Sequence, residues 1–384
     1  MKVAERYNLD IFIDGLSIFS TPGCMLGGAD IYESVANPIP TCQLEVIVPL
    51  SWLDERSVVD GAKIKFSVEF LEMQNPIKHE YKFRIFGIKK VSIDQKFAHL
   101  IIEGIADFYV GYQEGNPYNK YALVSDIFKD IAEKNKLVSD IDPTDDKQLW
   151  VAGENNIYQF MQYMTEYAYK DETSSFFWCL DRETRLLFKN WTTLFRGRQN
   201  NIFTFIQNPN ALIDNLYFTY TKAYGSIQSG TNNLNNCGYG GANYQFNLLD
   251  YKKKDITARK VIAESQLINI NKELSKGLSN EWYPFDVGNF HPNFYKARLQ
   301  NKRIMSTYST YIRLESQFFQ PYRLCQIVNF EYLDSQDLTN KIKCMSGTYM
   351  IDAIHITFST SNITSAIELV MQGLNGKART EEVY

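Results

Sequence analysis

Apolar and polar residues alternate along the first part of the chain, the pattern of strands with one buried and one solvated face. The alternating segments are residues 9–14, 43–48, 64–70, 81–88 and 100–105. Gly15 follows the first segment as a turn residue, and Pro49 ends the second, because proline cannot donate to a strand ladder. We therefore predict an all-β domain over residues 1–115.

The period then changes to that of helices. One predicted helix carries apolar residues at helical spacing, namely Val124, Ile127, Phe128 and Ile131. A second begins at Asn156, a suitable N-cap, with Gln159 three residues later as in a capping box. Residues 175–180 and 185–189 then predict a β-hairpin. Residues 116–200 are interpreted as an α+β module inserted between β-rich parts.

The next part of the chain has weaker patterns. Residues 201–224 are interpreted as a linker or strand that joins the two β-rich parts. We predict a flexible loop plus a helical insertion over residues 225–304, because residues 225–243 are rich in Gly, Asn and Ser and have few apolar groups to offset the entropy of ordering. The short basic run 252–254 is interpreted as a solvated loop or the approach to a helix, and residues 256–304 as mostly helical.

The strand pattern returns from Ser309 onward. It covers residues 311–314, 324–330, 349–358 and 366–371. Residues 305–375 therefore predict a second β-barrel-like domain, followed by a polar tail over residues 376–384.

Three strands of the first β-rich part are echoed in the second. Residues 59–72 match residues 319–332, each a turn followed by a strand with an aromatic and acidic end. Glycine-led strands follow in both parts, and each part closes with an apolar strand. Two β meanders can look alike by chance, but the repeat also fits two copies of one barrel-like domain.

Composition limits the classes of function. The net charge of −4 does not indicate tight nucleic-acid binding. The six cysteines contain no C-x-x-C pair and no zinc-ligand spacing, so free thiols in a reducing cytosol are expected; they are Cys24, Cys42, Cys179, Cys237, Cys325 and Cys344. The sequence shows no signal peptide and no apolar run of the ~20 residues that a membrane-spanning helix needs.

Candidate chemical groups each have a structural interpretation that we favour. Asp181 and Glu183 could be considered as the acid pair of a glycosidase. They lie in a tight turn, however, where acidic residues are expected for structural reasons. The acidic loop of Asp140, Asp142, Asp145 and Asp146 is not an EF-hand, although a weak calcium site stays open. The scattered histidines, His79, His99, His291 and His355, form no motif. Cys179 is expected in a core. We predict no catalytic, cofactor-binding or metal residues.

One segment resembles a known family. Residues 150–168 run from Trp150 through Asn156 to Ala168, and residues 176–188 add the hairpin with Asp181 at its turn. This order resembles the central hub proteins of contractile phage baseplates, the phage late-control D proteins and the hub part of type VI secretion spikes. Phe86 to Ile93, Phe318 to Ile327 and Tyr349 to His355 are similar to further elements of the family, with Tyr322 where glycine is usual.

The resemblance implies an α+β, β-rich fold with two tail-tube-like β-barrel domains and α+β insertions. It implies a non-enzymatic homotrimer in the virion tail, assembled in the bacterial host cytoplasm, whose pseudo-six-fold ring adapts a hexameric tail tube to a trimeric spike. Implied partners are the tail tube protein, a tape-measure protein, other baseplate proteins and DNA in transient, non-specific passage. Since the chain stops at Tyr384, the spike is expected to be a separate protein.

Two other functions remain open from the sequence. A receptor- or carbohydrate-binding tail protein fits the 25 Tyr, 25 Phe and five Trp residues, because aromatic faces stack on sugars. A wall hydrolase has little support, since no convergent set of acids, bases or nucleophiles is visible.

Overall fold

A computed structural model describes most of the chain. The described residues are 7–55, 58–70, 77–94, 96–108, 119–153, 155–196, 203–207, 217–227, 242–247, 252–257, 282–283, 291–316, 322–331, 346–359 and 363–372. The helices are α1 Leu50–Glu55, α2 Val124–Lys134, α3 Ile157–Tyr167, α4 Trp191–Arg196 and α5 Phe294–Thr307.

The strands outnumber the helices in the described residues. They are β1 Tyr7–Ile13, β2 Leu16–Ser17, β3 Met25–Ser34, β4 Thr41–Pro49, β5 Lys63–Phe70, β6 Ile77–Ile93, β7 Phe97–Ala106, β8 Asn119–Ala122, β9 Ser139–Ile141, β10 Gln148–Val151, β11 Phe176–Leu180, β12 Leu186–Asn190, β13 Phe203–Gln207, β14 Tyr217–Tyr220, β15 Lys222–Ile227, β16 Ala242–Asn247, β17 Lys252–Thr257, β18 Trp282–Tyr283, β19 Tyr308–Ser316, β20 Ile327–Phe330, β21 Gly347–Phe358 and β22 Ile363–Gln372. The predicted α+β, β-rich class is confirmed.

Two groups of strands share one strand order. The first half-sheet, β1 to β7, runs β3-β4-β7-β6-β5-β1-β2. The second half-sheet, formed by β13 to β15 and β19 to β22, runs β15-β19-β22-β21-β20-β13-β14. In each half-sheet, three consecutive strands form an antiparallel meander, β5-β6-β7 or β20-β21-β22. A further antiparallel pair, β4 with β3 or β19 with β15, continues the sheet from the last strand of the meander.

The central strands of the two meanders also share an irregularity. β6 has a bulge at Phe86, between the pairs Ile85–Gly104 and Gly87–Glu103. β21 has one at Asp352, between Ile351–Leu369 and Ala353–Glu368. In both central strands, the bulge comes two residues after the last residue that pairs with the preceding strand, β5 or β20. The strands of the predicted sequence echo therefore have matching positions, while the domain boundaries stay a prediction.

The two half-sheets are joined edge to edge. β21 pairs antiparallel with β3 from Ala353–Ser34 to Phe358–Ala29. We call this pairing the seam. It links both half-sheets into one curled sheet of 14 strands.

The inserted module forms as its pattern predicts. α2 buries its apolar stripe, including Phe128 and Ile131. α3 has Asn156 as N-cap in a complete capping box with Gln159, as predicted. The predicted hairpin is β11 with β12, which β9 extends as a parallel third strand.

The hairpin is buried on both faces, because it lies between two apolar clusters. Phe176 and Trp178 contribute to the large core that also contains the half-sheets, whereas Phe177 and Cys179 contribute to a smaller cluster with Trp191. This explains why β11 reads as a continuous apolar run rather than an alternating one.

The weakly patterned region differs in part from the prediction. The basic run lies in strand β17, not in a loop or helix approach, because β17 pairs antiparallel with β16. Residues 225–227 belong to β15, which is ordered by pairing with β19. The middle of the predicted loop, residues 228–241, lies outside the described residues. Of the residues predicted to be mostly helical, 256–257 and 282–283 belong instead to strands β17 and β18, which both pair with β16, whereas α5 is helical as predicted. Residues 258–281 and 284–290 lie outside the described residues.

Candidate functional site

The seam carries a polar cluster on its solvated face. The Asp30 carboxylate accepts a hydrogen bond from Thr357 at 2.6 Å and contacts His355 Nε2 at 3.0 Å. Partial burial opposes ionisation, but the bonds from His355 and Thr357 lower the pKa of Asp30 below its ordinary value. Residues from both half-sheets thus fix the register of the seam.

The opposite face of the seam contains a buried ion pair. Glu33 and Arg182 are both almost fully buried, and the Arg182 guanidinium binds the Glu33 carboxylate while the Arg182 backbone N–H donates to it at 2.6 Å. Burial by itself would lower the pKa of Arg182, but the Glu33 carboxylate outweighs it and raises that pKa, so the guanidinium stays charged.

Arg182 connects three parts of the molecule. It lies in the β11–β12 turn of the inserted module, contacts Glu33 of β3, and donates to the Tyr322 backbone oxygen of the second half-sheet at 2.7 Å. Its guanidinium also lies 5.8 Å from the centroid of the Tyr81 ring on β6. Removing one partner of such a pair leaves an uncompensated buried charge, so this contact fixes how the module sits on the seam.

The half-sheets also present strand edges that have no partner among the described residues. β6 pairs with β5 through residues 77–84, and beyond them only its other edge is paired, with β7. The equivalent part of β21 carries β3 at the seam. β15, the counterpart of β3, pairs in the described structure with β19 alone. Such edges are ready to pair with another strand.

The turn carboxylates have structural partners. Asp181 accepts backbone hydrogen bonds from Glu183 at 3.0 Å and Arg185 at 2.9 Å, which closes the turn. Glu183 contacts His79 Nδ1 of β6 at 3.0 Å, and this hydrogen bond, together with the charges of Arg323 and Arg182, outweighs partial burial and lowers the pKa of Glu183 to about 2. The two side chains are used separately, one in the turn and one in holding the module on the first half-sheet.

The acidic loop is divided among several partners. Asp140 and Asp142 both contact the Lys189 ammonium. Asp146 accepts hydrogen bonds from the N–H groups of Val124, at the start of α2, and of Tyr169. Burial raises the pKa of Asp146 to about 6. Within the described ranges, no group of three or more His, Cys, Asp or Glu residues could hold a metal ion.

The histidines do not converge. His79 and His355 have the partners given above, and His99 contacts Glu45 at 2.6 Å. The fourth, His291, is buried near α5, which lowers its pKa to about 4. His355 lies in a strand, as predicted.

The cysteines in the described ranges are free thiols. Cys179 lies in a core, as predicted, with its Sγ 3.8 Å from that of Cys325. Burial raises the pKa of Cys179. Cys237 and Cys344 lie outside the described residues.

The Glu33–Arg182 pair was missed by sequence reasoning. A signal was present, since the alternation that buries Ala29 and Ile31 also places Glu33 on the inward face of β3. A carboxylate in phase with a core needs a buried partner. No local pattern identifies Arg182 as this partner, because it lies 149 residues away along the chain.

Among the described residues, no helix has the length and apolar character needed to cross a membrane. No protein-family model and no curated protein matches the sequence.

Solved structures with the same fold are known. A tail protein from Neisseria meningitidis MC58 is 9% identical, with a TM-score of 0.55 over 97% of this chain and 99% of that one. The 43 kDa tail protein of prophage MuSo2 from Shewanella oneidensis is 9% identical, with a TM-score of 0.54 over 95% and 96%. A chain of the Francisella PdpA–VgrG complex is 10% identical, with a TM-score of 0.52 over 100% of this chain and 61% of that one. The resemblance to tail and spike-hub proteins is thus confirmed at the level of the fold.

Proposed function

We propose that the protein is a structural hub of a phage tail or phage-tail-like particle, and that three copies form a pseudo-six-fold ring. The observation that carries the proposal is the pair of half-sheets with one strand order, one bulge position and one seam between them. Three chains would supply six similar half-sheets around one axis, which suits a six-fold tube on one side and a three-fold spike on the other.

The seam supports a specific way of closing this ring. Within one chain, β21 of the second half-sheet pairs with β3 of the first. The same step between neighbouring chains would pair β6, the counterpart of β21, with β15, the counterpart of β3. Both counterpart edges lack a partner among the described strands. One seam within each chain and one between chains would alternate around the ring.

The register of the seam between chains follows from the one within a chain. Thr357 lies opposite Asp30 in β3. The two half-sheets can be aligned through their strand pairing. Thr357 of β21 pairs with Thr364 of β22, and Ser92 of β6 pairs with His99 of β7. Because Thr364 and His99 hold equivalent positions in the two half-sheets, Thr357 corresponds to Ser92. Asp30 corresponds in the same way to Tyr224. Ser92 of one chain should therefore lie opposite Tyr224 of the next.

The proposed partners are those that a hub position requires. They are the tail tube protein, a separate spike protein, the tape-measure protein and other baseplate proteins, with DNA passing transiently and without sequence preference. The net charge of −4 suits a lumen to which DNA does not adhere. One fold neighbour is a chain of the Francisella PdpA–VgrG complex, which supports association with spike proteins. The proposed site of action is the virion tail, after assembly in the host cytoplasm.

We assign the protein no enzymatic role. Asp181, Glu183 and the acidic loop hold structural contacts in the described residues, and the fold neighbours include phage tail proteins. The domain boundaries predicted from the sequence belong to the same proposal.

Electron microscopy of the protein mixed with its tail tube protein tests the hub function. The proposal predicts rings of three chains seated on the tube end, with six half-sheets facing the tube. Binding along the outside of the tube, or at the tail tip as single copies, would instead indicate a receptor-binding protein.

A further inference from the structure

Two cysteines from distant parts of the chain meet in one apolar cluster. Cys179 lies in β11 of the inserted module, and Cys325 lies two residues before β20 of the second half-sheet. They are 146 residues apart along the chain, yet their Sγ atoms are 3.8 Å apart. Since a disulfide bond is about 2.05 Å long, the two sulfur atoms are in contact but not bonded, and both thiols are free.

The backbone on both sides of this contact is held by hydrogen bonds. Cys179 pairs with Leu187 in the β11–β12 hairpin. The Cys325 N–H donates to the Ile351 oxygen at 2.9 Å, and the Ile351 N–H donates to the Gln326 oxygen at 2.9 Å. The fold therefore keeps the two sulfur atoms next to each other. A bond between them requires side-chain rotation and closure of a gap of about 1.8 Å.

A second contact holds the same two segments together. Arg182, in the turn after β11, donates to the Tyr322 backbone oxygen at 2.7 Å. Arg182 comes three residues after Cys179, and Tyr322 comes three residues before Cys325. The two contacts are thus equally spaced on both segments, as in an antiparallel alignment. The segment 322–325 is fixed to the hairpin at both of its ends.

Cys325 also has an unfavourable backbone conformation. Its φ is +63°, in the left-handed region where a Cβ atom is disfavoured and glycine is the usual residue. Strained residues that the surrounding structure holds in this region cluster at functional sites. Glycine would relieve the strain but would remove the sulfur atom from its contact with Cys179. The thiol is therefore the feature that the strained residue supplies.

We propose that Cys179 and Cys325 form a disulfide bond in an oxidising medium and stay as thiols in a reducing one. A peroxide is the oxidant, because it is small enough to reach a mostly buried sulfur atom. The Cys325 thiolate attacks one peroxide oxygen, which gives a sulfenic acid and, with the released proton, a water molecule. The Cys179 sulfur then attacks the sulfenic sulfur, and its proton leaves with the displaced hydroxide as a second water. The electron pair passes from the two sulfur atoms to the peroxide.

Exposure sets the order of these two steps. Cys325 is 8% exposed and follows the exposed Arg323, whereas Cys179 is fully buried and burial raises its pKa. Because the thiolate is the reactive form, Cys325 meets the oxidant and Cys179 resolves the sulfenic acid. The product links the inserted module covalently to the second half-sheet. The proposal rests on contacts within one chain and does not depend on the hub proposal.

Oxidation of the full chain by hydrogen peroxide tests the proposal. Free thiols are then blocked, and the digested chain is analysed by mass spectrometry without reductant. The expected product is a peptide pair that joins Cys179 to Cys325 and is cleaved by dithiothreitol, while Cys42, a buried thiol elsewhere in the core, stays unmodified. Absence of this peptide pair under conditions that oxidise the half-exposed Cys24 would overturn the proposal.

Cys325→Gly provides the matched variant. It should fold, because glycine suits the left-handed backbone at this position. Oxidation should raise the midpoint of thermal unfolding of the parent protein by about 5 °C, since a cross-link that closes a long loop restricts the unfolded chain, and reductant should remove the gain. Oxidised Cys325→Gly should show no gain and should keep Cys179 as a thiol. No gain in the parent protein, an equal gain in both, or equally fast loss of the Cys179 thiol in both contradicts the proposal.

Discussion

Glu33 and Arg182 show how single residues set the arrangement of the parts. Two charges are removed from water in this pair, which by itself is unfavourable. The gain is geometric, because the planar guanidinium binds β3 and the Tyr322 carbonyl at the same time. The inserted module therefore has one position relative to the seam.

Removing Arg182 should be strongly destabilising. Arg182→Met leaves the Glu33 carboxylate buried and unpaired, and we expect a loss of about 3–5 kcal/mol in the free energy of unfolding. Urea denaturation measures this loss. The control Arg313→Met removes an exposed guanidinium whose partner, Glu368, is also exposed, and should cost under about 1 kcal/mol. Adding Glu33→Leu to Arg182→Met should restore much of the stability, and failure to do so would show that the charge is not the cause.

The Glu183–His79 contact should make stability depend on pH. The folded pKa of Glu183 is about 2, below the value of about 4.3 expected in the unfolded chain. Its contribution is therefore present above about pH 5 and is lost as the pH falls toward 2. Since Glu183 is partly exposed, the contribution at pH 7 should be under about 1 kcal/mol.

Denaturation of Glu183→Gln over this pH range measures the effect. The stability difference from the parent protein should be largest near pH 7 and should shrink as the pH falls. Glu133→Gln, an exposed change on α2, should show no such trend. A difference that grows toward low pH would contradict the assigned direction of the pKa shift.

Elements with a strong local signal could be predicted from the sequence. The α3 capping box depends on Asn156 and Gln159 alone, and the β11–β12 hairpin on its turn residues. β17 could not be predicted, because a run of three lysines has little strand preference of its own and is ordered by pairing with β16. β15 is likewise defined by β19, which is distant in sequence.

The N-cap of α3 offers a test at this scale. Asn156→Ala removes the side-chain acceptor of the Gln159 N–H and should cost about 1 kcal/mol of stability. Thermal or urea unfolding gives this value. The neighbouring change Asn155→Ala, at an exposed position, should be nearly neutral. Equal losses in both variants would mean that the cap contributes nothing specific.

The whole molecule is a tandem of two related half-sheets joined through one seam. The repeat of strands was visible in the sequence, since each meander carries its own alternation. The seam was not, because strand register between distant segments depends on tertiary pairing. Neither the Asp30–Thr357 contact nor the Glu33–Arg182 pair follows from local pattern.

Disulfide cross-linking tests the ring of three chains most directly. Ser92→Cys and Tyr224→Cys, placed in one chain, should lie opposite each other between neighbouring chains, with Cβ atoms about 5 Å apart. Mild oxidation of the purified chain at rising concentration, with and without the tube protein, should give covalent dimers and trimers that end at three chains. A variant that carries only one of the two substitutions serves as a control and should give no trimer. Absence of cross-linking in all these conditions, or a ladder that continues beyond three chains, would contradict the ring.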